Sequence, residues 1–265
     1  MPKCSLDSRD YHFIFILCPA YSGSTAFAKV LNSAHNSMIL HPIAEGQWLV
    51  PGMSAVDRQD PNKKIDWESV KATWLSRVSM VEDLVGKVDV VIEKSPPHVF
   101  RLDQLVTTFP NNSLITFNRN PYAKCASSLY REYPSLQKPG LERRLTLLRD
   151  GARKWANASA EIKRWADTDQ TVDLTYEQFC QDPQLQVERI QDSIPCLQGI
   201  DIDSPIKVKD YRAQTISNQN SRQVMNLSEQ EKCVIGEELS GHEELLQFFG
   251  YTSAWQKSLE EGGAC

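Results

Sequence analysis

The sequence predicts an α/β fold: a P-loop-like parallel β-sheet flanked by helices on both faces. Three observations predict it. Short apolar runs rich in β-branched and aromatic residues recur along the chain, without the polar alternation of a strand that has one wet face. Longer segments between them carry apolar residues at helical spacing. Several runs end in a small-residue or proline-containing turn, and an open α/β sheet binds its ligands at such strand ends.

The first run, Phe13 to Cys18, gives way to Pro19-Ala20-Tyr21-Ser22-Gly23-Ser24-Thr25 and then to a helical pattern with Phe27, Val30 and Leu31 on its apolar side. Small residues around Gly23 let the backbone curl and aim successive N–H groups at one point. At a helix N-terminus such a turn attracts an anion, because unpaired amides and the helix dipole both favour negative charge. Met38 to His41 forms a short second strand. Asp66 caps a helix to Val85 that carries Trp67, Val70, Trp74 and Val78. Val88 to Ile92 has the densest β-branching and stops at Glu93-Lys94-Ser95-Pro96-Pro97, where two prolines impose an irregular exit. One helix is expected from about His98 to Phe109. Ser113 to Phe117 is the next strand, followed by Asn118-Arg119-Asn120-Pro121 and a helix to about Glu132, with Pro121 in its first turn. A long helix covers Leu141 to Ala166, and Thr171 to Thr175 is the last strand. Asp182-Pro183 starts another helix. The tail reads as a polar stretch, Lys207 to Arg222, then helices from about Ser228 to Gly241 and His242 to Phe249.

The 265 residues suit one domain with a core at about 12–250, since no Gly/Ser-rich or Pro-rich linker divides them. A hydrophobic fraction of 41% and a charged fraction of 24% belong to an ordinary globular chain. A net charge of -5 argues against a nucleic-acid surface while leaving room for a local basic pocket. The seven cysteines show neither CxxC pairs nor metal-ligand spacing, so reduced thiols and no metal are expected. The polar N-terminus and the absence of a run near the roughly 20 apolar residues of a membrane span make a cytoplasmic location the default. Oligomeric state is not legible.

Four motifs occur together: PAYSGST after the first strand, EKSP after another, RNPYAKCASS after a third and TYEQFCQDP after a fourth. In this order they resemble the sulfotransferases that use 3′-phosphoadenosine 5′-phosphosulfate (PAPS), nearer the bacterial, tyrosylprotein and carbohydrate-type branch than the cytosolic steroid and phenol enzymes. The resemblance runs from about residue 12 to 250. It implies the sulfotransferase fold and transfer of a sulfuryl group to a hydroxyl, or secondarily an amine, leaving 3′-phosphoadenosine 5′-phosphate (PAP). Ser22, Gly23, Ser24 and Thr25, flanked by Tyr21 and Ala26, match the loop that wraps the 5′-phosphosulfate. Arg119 and Ser127 match the pair that holds the 3′-phosphate. Ser127, eight residues beyond Arg119, falls about two turns into the following helix, so the two side chains can converge.

One departure concerns charge. Relatives place Arg or Lys just before the SG pair, where this chain has Ala20-Tyr21 and one extra residue. Lys94 is then the candidate that stabilises charge on the leaving oxygen, unless it is merely paired with Glu93, and Lys29 is expected to point away. Glu45 is the candidate general base for the acceptor hydroxyl, with His41 as the fallback. Tyr176 and Glu177 match a structural dipeptide on the pocket floor. Lys209 and Arg212 are loose candidates for the 3′-phosphate, near a polar run that closes over the nucleotide in this branch. The acceptor pocket is expected from Trp48 to Pro61, the helix bearing Trp67 and Trp74, and Tyr130 to Leu141. A small-molecule, carbohydrate or lipid hydroxyl is the expected partner, with no nucleic acid and no membrane span. Two other readings remain: a non-catalytic nucleotide-binding relative, because of Tyr21, and a P-loop nucleotide kinase, which the missing GxxxxGK[ST] disfavours.

Overall fold

The structure, a computed structural model, describes residues 10–132, 139–166, 168, 171–208 and 212–251. Lys209 lies outside the described residues. Five strands, β1 (His12–Leu17), β2 (Ser37–Ile39), β3 (Val90–Glu93), β4 (Asn112–Asn118) and β5 (Thr171–Thr175), form one sheet in the order β2-β3-β1-β4-β5. Every pairing is parallel, with Ile14 opposite Ile92 and Phe15 opposite Leu114. The strand order reverses at β1, so the loops leaving β1 and β4 open side by side at the carboxyl edge, where such sheets hold their ligands.

Both faces of β1 are buried, which is why it reads as an unbroken apolar run. Phe13, Phe15 and Leu17 face one layer of the core, and Ile14, Ile16 and Cys18 face the other. Helix α1 (Ser24–Leu31) covers the second face with Phe27, Val30 and Leu31, and Phe27 stacks on Phe117 with ring centroids 4.4 Å apart. The first face packs against α2 (Trp67–Val85) through Val70, Trp74 and Val78. The Asp66 carboxylate accepts from the Ser69 N–H at 3.2 Å, as a cap should.

One expected helix divides. The chain forms a 3-10 turn at Pro96–Phe100, breaks at Arg101 and resumes as α3 (Leu102–Thr108). Arg101 leaves helical geometry and buries its guanidinium against neighbouring main chain, including Pro97 O at 3.2 Å. Next come α4 (Pro121–Glu132) and α5 (Leu141–Lys163), whose Cys125, Ala126, Leu148 and Trp155 join the first core layer. α6 (Tyr176–Gln181) and α7 (Pro183–Ser193) pack on the opposite face, capped by Thr175 and Asp182. The tail reading needs one correction. The stretch read as polar, Lys207 to Arg222, ends in a short helix that runs two residues past it, α8 (Asn220–Val224), anchored by buried Asn220 and Val224. α9 (Glu229–Leu239), with a Ser228/Glu231 capping box, and α10 (Glu243–Phe248) complete the fold. Among the described residues no helix is long and apolar enough to cross a membrane.

Candidate active site

Two non-glycine residues among those described have positive φ, Tyr21 at 67° and Ala44 at 60°. Left-handed backbone at non-glycine residues is a strained arrangement that clusters at functional loops. Both lie at the carboxyl edge of the sheet, one in the loop after β1 and the other in the loop after β2.

The β1 loop turns at Tyr21 and again at Gly23 (φ 84°) before entering α1. The N–H groups of Gly23, Ser24 and Thr25 find no acceptor among the described residues, whereas the next two amides bond back to Gly23 O. Gly23 is required twice. Its φ disfavours any side chain, and a Cβ there would lie 2.7 Å from the Tyr176 ring. That ring cannot swing aside, because its hydroxyl donates to Ser217 O (2.9 Å) and accepts from Gln219 N–H (3.0 Å). Gly23→Ala should therefore lower stability by about 1–3 kcal/mol, read as a reduced urea midpoint, and should weaken anion binding in the same loop.

Arg119, 3% exposed, is built into place from every side. Its N–H bonds the Asn118 side chain at 2.8 Å, and its carbonyl accepts from Trp155 Nε1 at 2.9 Å. The guanidinium lies 4.1 Å above the Tyr176 ring. It donates to Asn220 Oδ1 (2.8 Å), Gln223 Oε1 (2.8 Å) and Tyr21 O (3.3 Å). Glu177 backs this group: it accepts from Asn120 N–H (3.0 Å), the Asn220 side-chain amide and the Tyr251 hydroxyl (2.8 Å).

The other half centres on Glu45 and Lys94. Ala44 N–H bonds His41 O at 2.6 Å and Lys94 N–H bonds Ala44 O at 2.7 Å, so the strained turn is tied to the residue after β3. Lys94 Nζ then pairs with Glu45 Oε1 at 2.7 Å, not with Glu93. Glu45 Oε2 accepts from Gln47 (2.7 Å) and from the Trp48 indole (3.0 Å). Burial pushes the Glu45 carboxyl up, but the Lys94 charge and the hydrogen bonds from Lys94, Gln47 and Trp48 outweigh it and hold the group below its ordinary range. Glu93 faces inward, accepting from Gly46 N–H (2.9 Å), Ser95 N–H (3.0 Å) and the Ser95 hydroxyl, and bonding His98 Nδ1 (2.8 Å). It clamps the two loops that carry Glu45 and Lys94.

These groups share a cleft of about 630 Å³. Tyr21, Gly23, Ser24, Thr25, Ala26, Glu45, Lys94, Arg119 and Ser127 all line it. Ser22 is fully buried beneath the loop, and His41 and Arg212 lie outside the wall. Burial and the nearby Arg77 and Lys94 charges lower the His41 pKa against the pull of Glu45. Lys29 points away, donating to Lys207 O at 2.7 Å. Trp74 is a correction to the expected acceptor pocket. It is buried in the core and supports the Glu45 loop from behind, donating to Gly46 O at 3.1 Å. The 133–138 part of the expected pocket lies outside the described residues. Asn220 and Gln223, which hold Arg119, were not singled out from sequence. Neutral amides in a polar stretch carry no pattern until α8 is known. Among the described residues the charged side chains of the wall are Lys94, Arg58, Arg119, Arg131 and Arg222 against the single carboxylate of Glu45, so this part of a chain of net charge -5 is basic.

Comparison with known proteins agrees with this architecture. The family model described as "Sulfotransferase family" matches residues 14–195. No curated protein sequence matches the chain. Among solved structures, a sulfotransferase from Alicyclobacillus acidocaldarius is 16% identical, with a TM-score of 0.52 over 92% of this chain and 98% of that one. The sulfotransferase domain of the olefin synthase from Synechococcus PCC 7002 is also 16% identical, with a TM-score of 0.51 over 94% and 98%. These likenesses concern the fold. The family match begins inside β1 and covers the other four strands together with both site loops, and by it the chain belongs to the sulfotransferase family.

Proposed function

We propose that the protein transfers a sulfuryl group from PAPS to a hydroxyl on a small-molecule, carbohydrate or lipid acceptor by in-line attack. The observation that carries this reading is the meeting, in one cleft, of three loop amides without an acceptor among the described residues, a buried arginine with donors uncommitted among them and an ion-paired carboxylate. The donor set fits PAPS. A guanidinium has five N–H donors, and Arg119 uses three, on Asn220, Gln223 and Tyr21 O, which leaves two. The Ser127 hydroxyl lines the same cleft and makes no hydrogen bond to the described residues. Arg119 and Ser127 are assigned to the 3′-phosphate, and the amides of Gly23, Ser24 and Thr25 to the 5′ side.

When bound, PAPS supplies an activated sulfuryl group. The protein's own part is orientation, charge and one proton. Lys94 supplies the cation that Tyr21 does not. Its pairing with Glu45 gives that role a consequence: an anion that draws Lys94 Nζ away uncovers Glu45 Oε1 and raises its proton affinity. Glu45 then takes the acceptor proton at that oxygen while the Gln47 and Trp48 donors fix Oε2. Calorimetric titration with PAP and with ATP tests the donor assignment. PAP should bind at least about tenfold tighter, the worth of charge-assisted bonds to the 3′-phosphate that ATP lacks. Tighter binding of ATP than of PAP would overturn it.

A further inference from the structure

We propose that Arg58 selects acceptors that carry an oxyanion, a carboxylate, sulfate or phosphate, on an otherwise apolar body. This inference rests on the sulfuryl-transfer reading of the cleft. Arg58 lines the cleft from the stretch between the Gly46–Leu49 turn and α2; its side chain is exposed and has no hydrogen bond or ion pair among the described residues. By itself that describes a solvated surface charge. Two features argue for more.

First, the main chain under Arg58 is pinned by a buried cation. Arg101, 4% exposed, donates through Nη2 to Arg58 O (2.7 Å) and to Asp60 O (2.5 Å), and through Nη1 to Pro97 O (3.2 Å). A guanidinium is costly to bury unless its donors are met, and here Nη1 and Nη2 are met by carbonyls that fix residues 58–60 against Pro97, itself part of the cleft wall, while Nε has no partner among the described residues. The same stretch is braced again by Lys63, which pairs with Asp57 and donates to Gly52 O at 2.7 Å. The Arg58 fork is thus presented from a fixed base.

Second, three of the other four cations of the wall already have partners, and the fourth, Arg222, has none among the described residues. Lys94 holds Glu45, Arg119 is clasped by Asn220 and Gln223, and Arg131 is engaged. Arg222 sits on α8 next to Gln223, with the Arg119 group. On the Glu45 side, Arg58 and its neighbour Gln59 share the wall with Trp48, Pro96 and Pro97. Flat apolar surfaces beside one planar, fork-shaped cation suit a molecule with an apolar body and an anionic group that can accept two parallel N–H bonds.

The test uses two probes that differ in charge alone, hydroxyphenylpropanoate and its primary amide. Equilibrium binding is read by tryptophan fluorescence, with Trp48 at 46% exposure in the cleft as reporter. The acid should bind the wild-type protein about tenfold tighter than the amide. In Arg58→Gln that preference should vanish with amide binding unchanged, Arg58→Lys should restore part of it, and added salt should erode it in the wild type. Equal binding of the two probes to the wild type, or a preference that survives in Arg58→Gln, overturns the inference. With PAPS present, a loss of kcat shared by both probes at unchanged KM would also overturn it, since Arg58 would then act on the transferring group. Probe binding requires no donor, so a failure of PAP to bind would strike the donor assignment while this comparison still decides the role of Arg58.

Discussion

Glu45→Gln should lower turnover by about a thousandfold, the scale of a lost general base, and should leave PAP affinity within about twofold. The amide keeps the shape and can still accept from Gln47 and Trp48, but it cannot take a proton from an acceptor hydroxyl. Single-turnover transfer of label from PAPS gives the rate, and calorimetry with PAP gives the affinity. Because the change leaves Lys94, 2% exposed, without its anionic partner, some loss of stability accompanies it, and a thermal melt separates that loss from chemistry. Glu45→Asp, which keeps the charge, should retain part of the rate. The wild-type pH profile adds a signed check. The folded carboxyl lies below its ordinary 4.5, so the Lys94 pair contributes stability above the unfolded pKa and loses it as pH falls through the folded one. The acid limb of both stability and donor-free structure should accordingly lie below 4.5. Equal losses of nucleotide affinity and turnover would remove Glu45 from the base role.

Arg119→Ala should act in the opposite sense, weakening PAP binding by about a hundredfold while kcat at saturating donor changes by only a few-fold. Two uncommitted guanidinium donors account for that size at about 1.5 kcal/mol for each charge-assisted bond. Truncation also leaves Asn220 Oδ1 and Gln223 Oε1 without their donor, so α8 loosens over the cleft. Arg119→Lys should recover little, because an ammonium cannot bond Asn220, Gln223 and Tyr21 O in the same fork. Unchanged PAP affinity in Arg119→Ala would sink the assignment of Arg119 to the nucleotide.

The centre of the sheet was legible because β1, β3 and most of β4 are buried on both faces. Phe13 to Cys18 and Ser113 to Phe117 need no partner to be recognised, and the structure moves their ends by a residue or so, to His12–Leu17 and Asn112–Asn118. The helix expected from His98 to Phe109 failed at Arg101 for a reason that periodicity cannot show. Its side chain is committed to carbonyls some forty residues earlier in the chain. The loop cations and hydroxyls were legible as types, since anion chemistry demands them. Their partners were not. Nothing local indicates that Lys94 pairs with Glu45 and not with the adjacent Glu93, because the choice is made by the inward turn of Glu93 toward His98 and Ser95. Trp74 misled in the same way: an aromatic beside an expected pocket proved to be the pillar behind it. The α8 clasp on Arg119 joins residues about a hundred positions apart, a distance over which sequence pattern is silent.

The Glu177 contacts bear on how the protein can be handled. This carboxylate joins Asn120 at the start of α4, Asn220 on α8 and the hydroxyl of Tyr251, the last described residue. Tyr251 is 2% exposed and packs edge-on to Trp155, whose indole holds the Arg119 carbonyl. The far end of the fold is therefore wired, two contacts deep, to the arginine assigned to the nucleotide. A cut placed before Tyr251 would strip a donor from Glu177 and a wall from Trp155 together, so tags and truncations on that side belong beyond it.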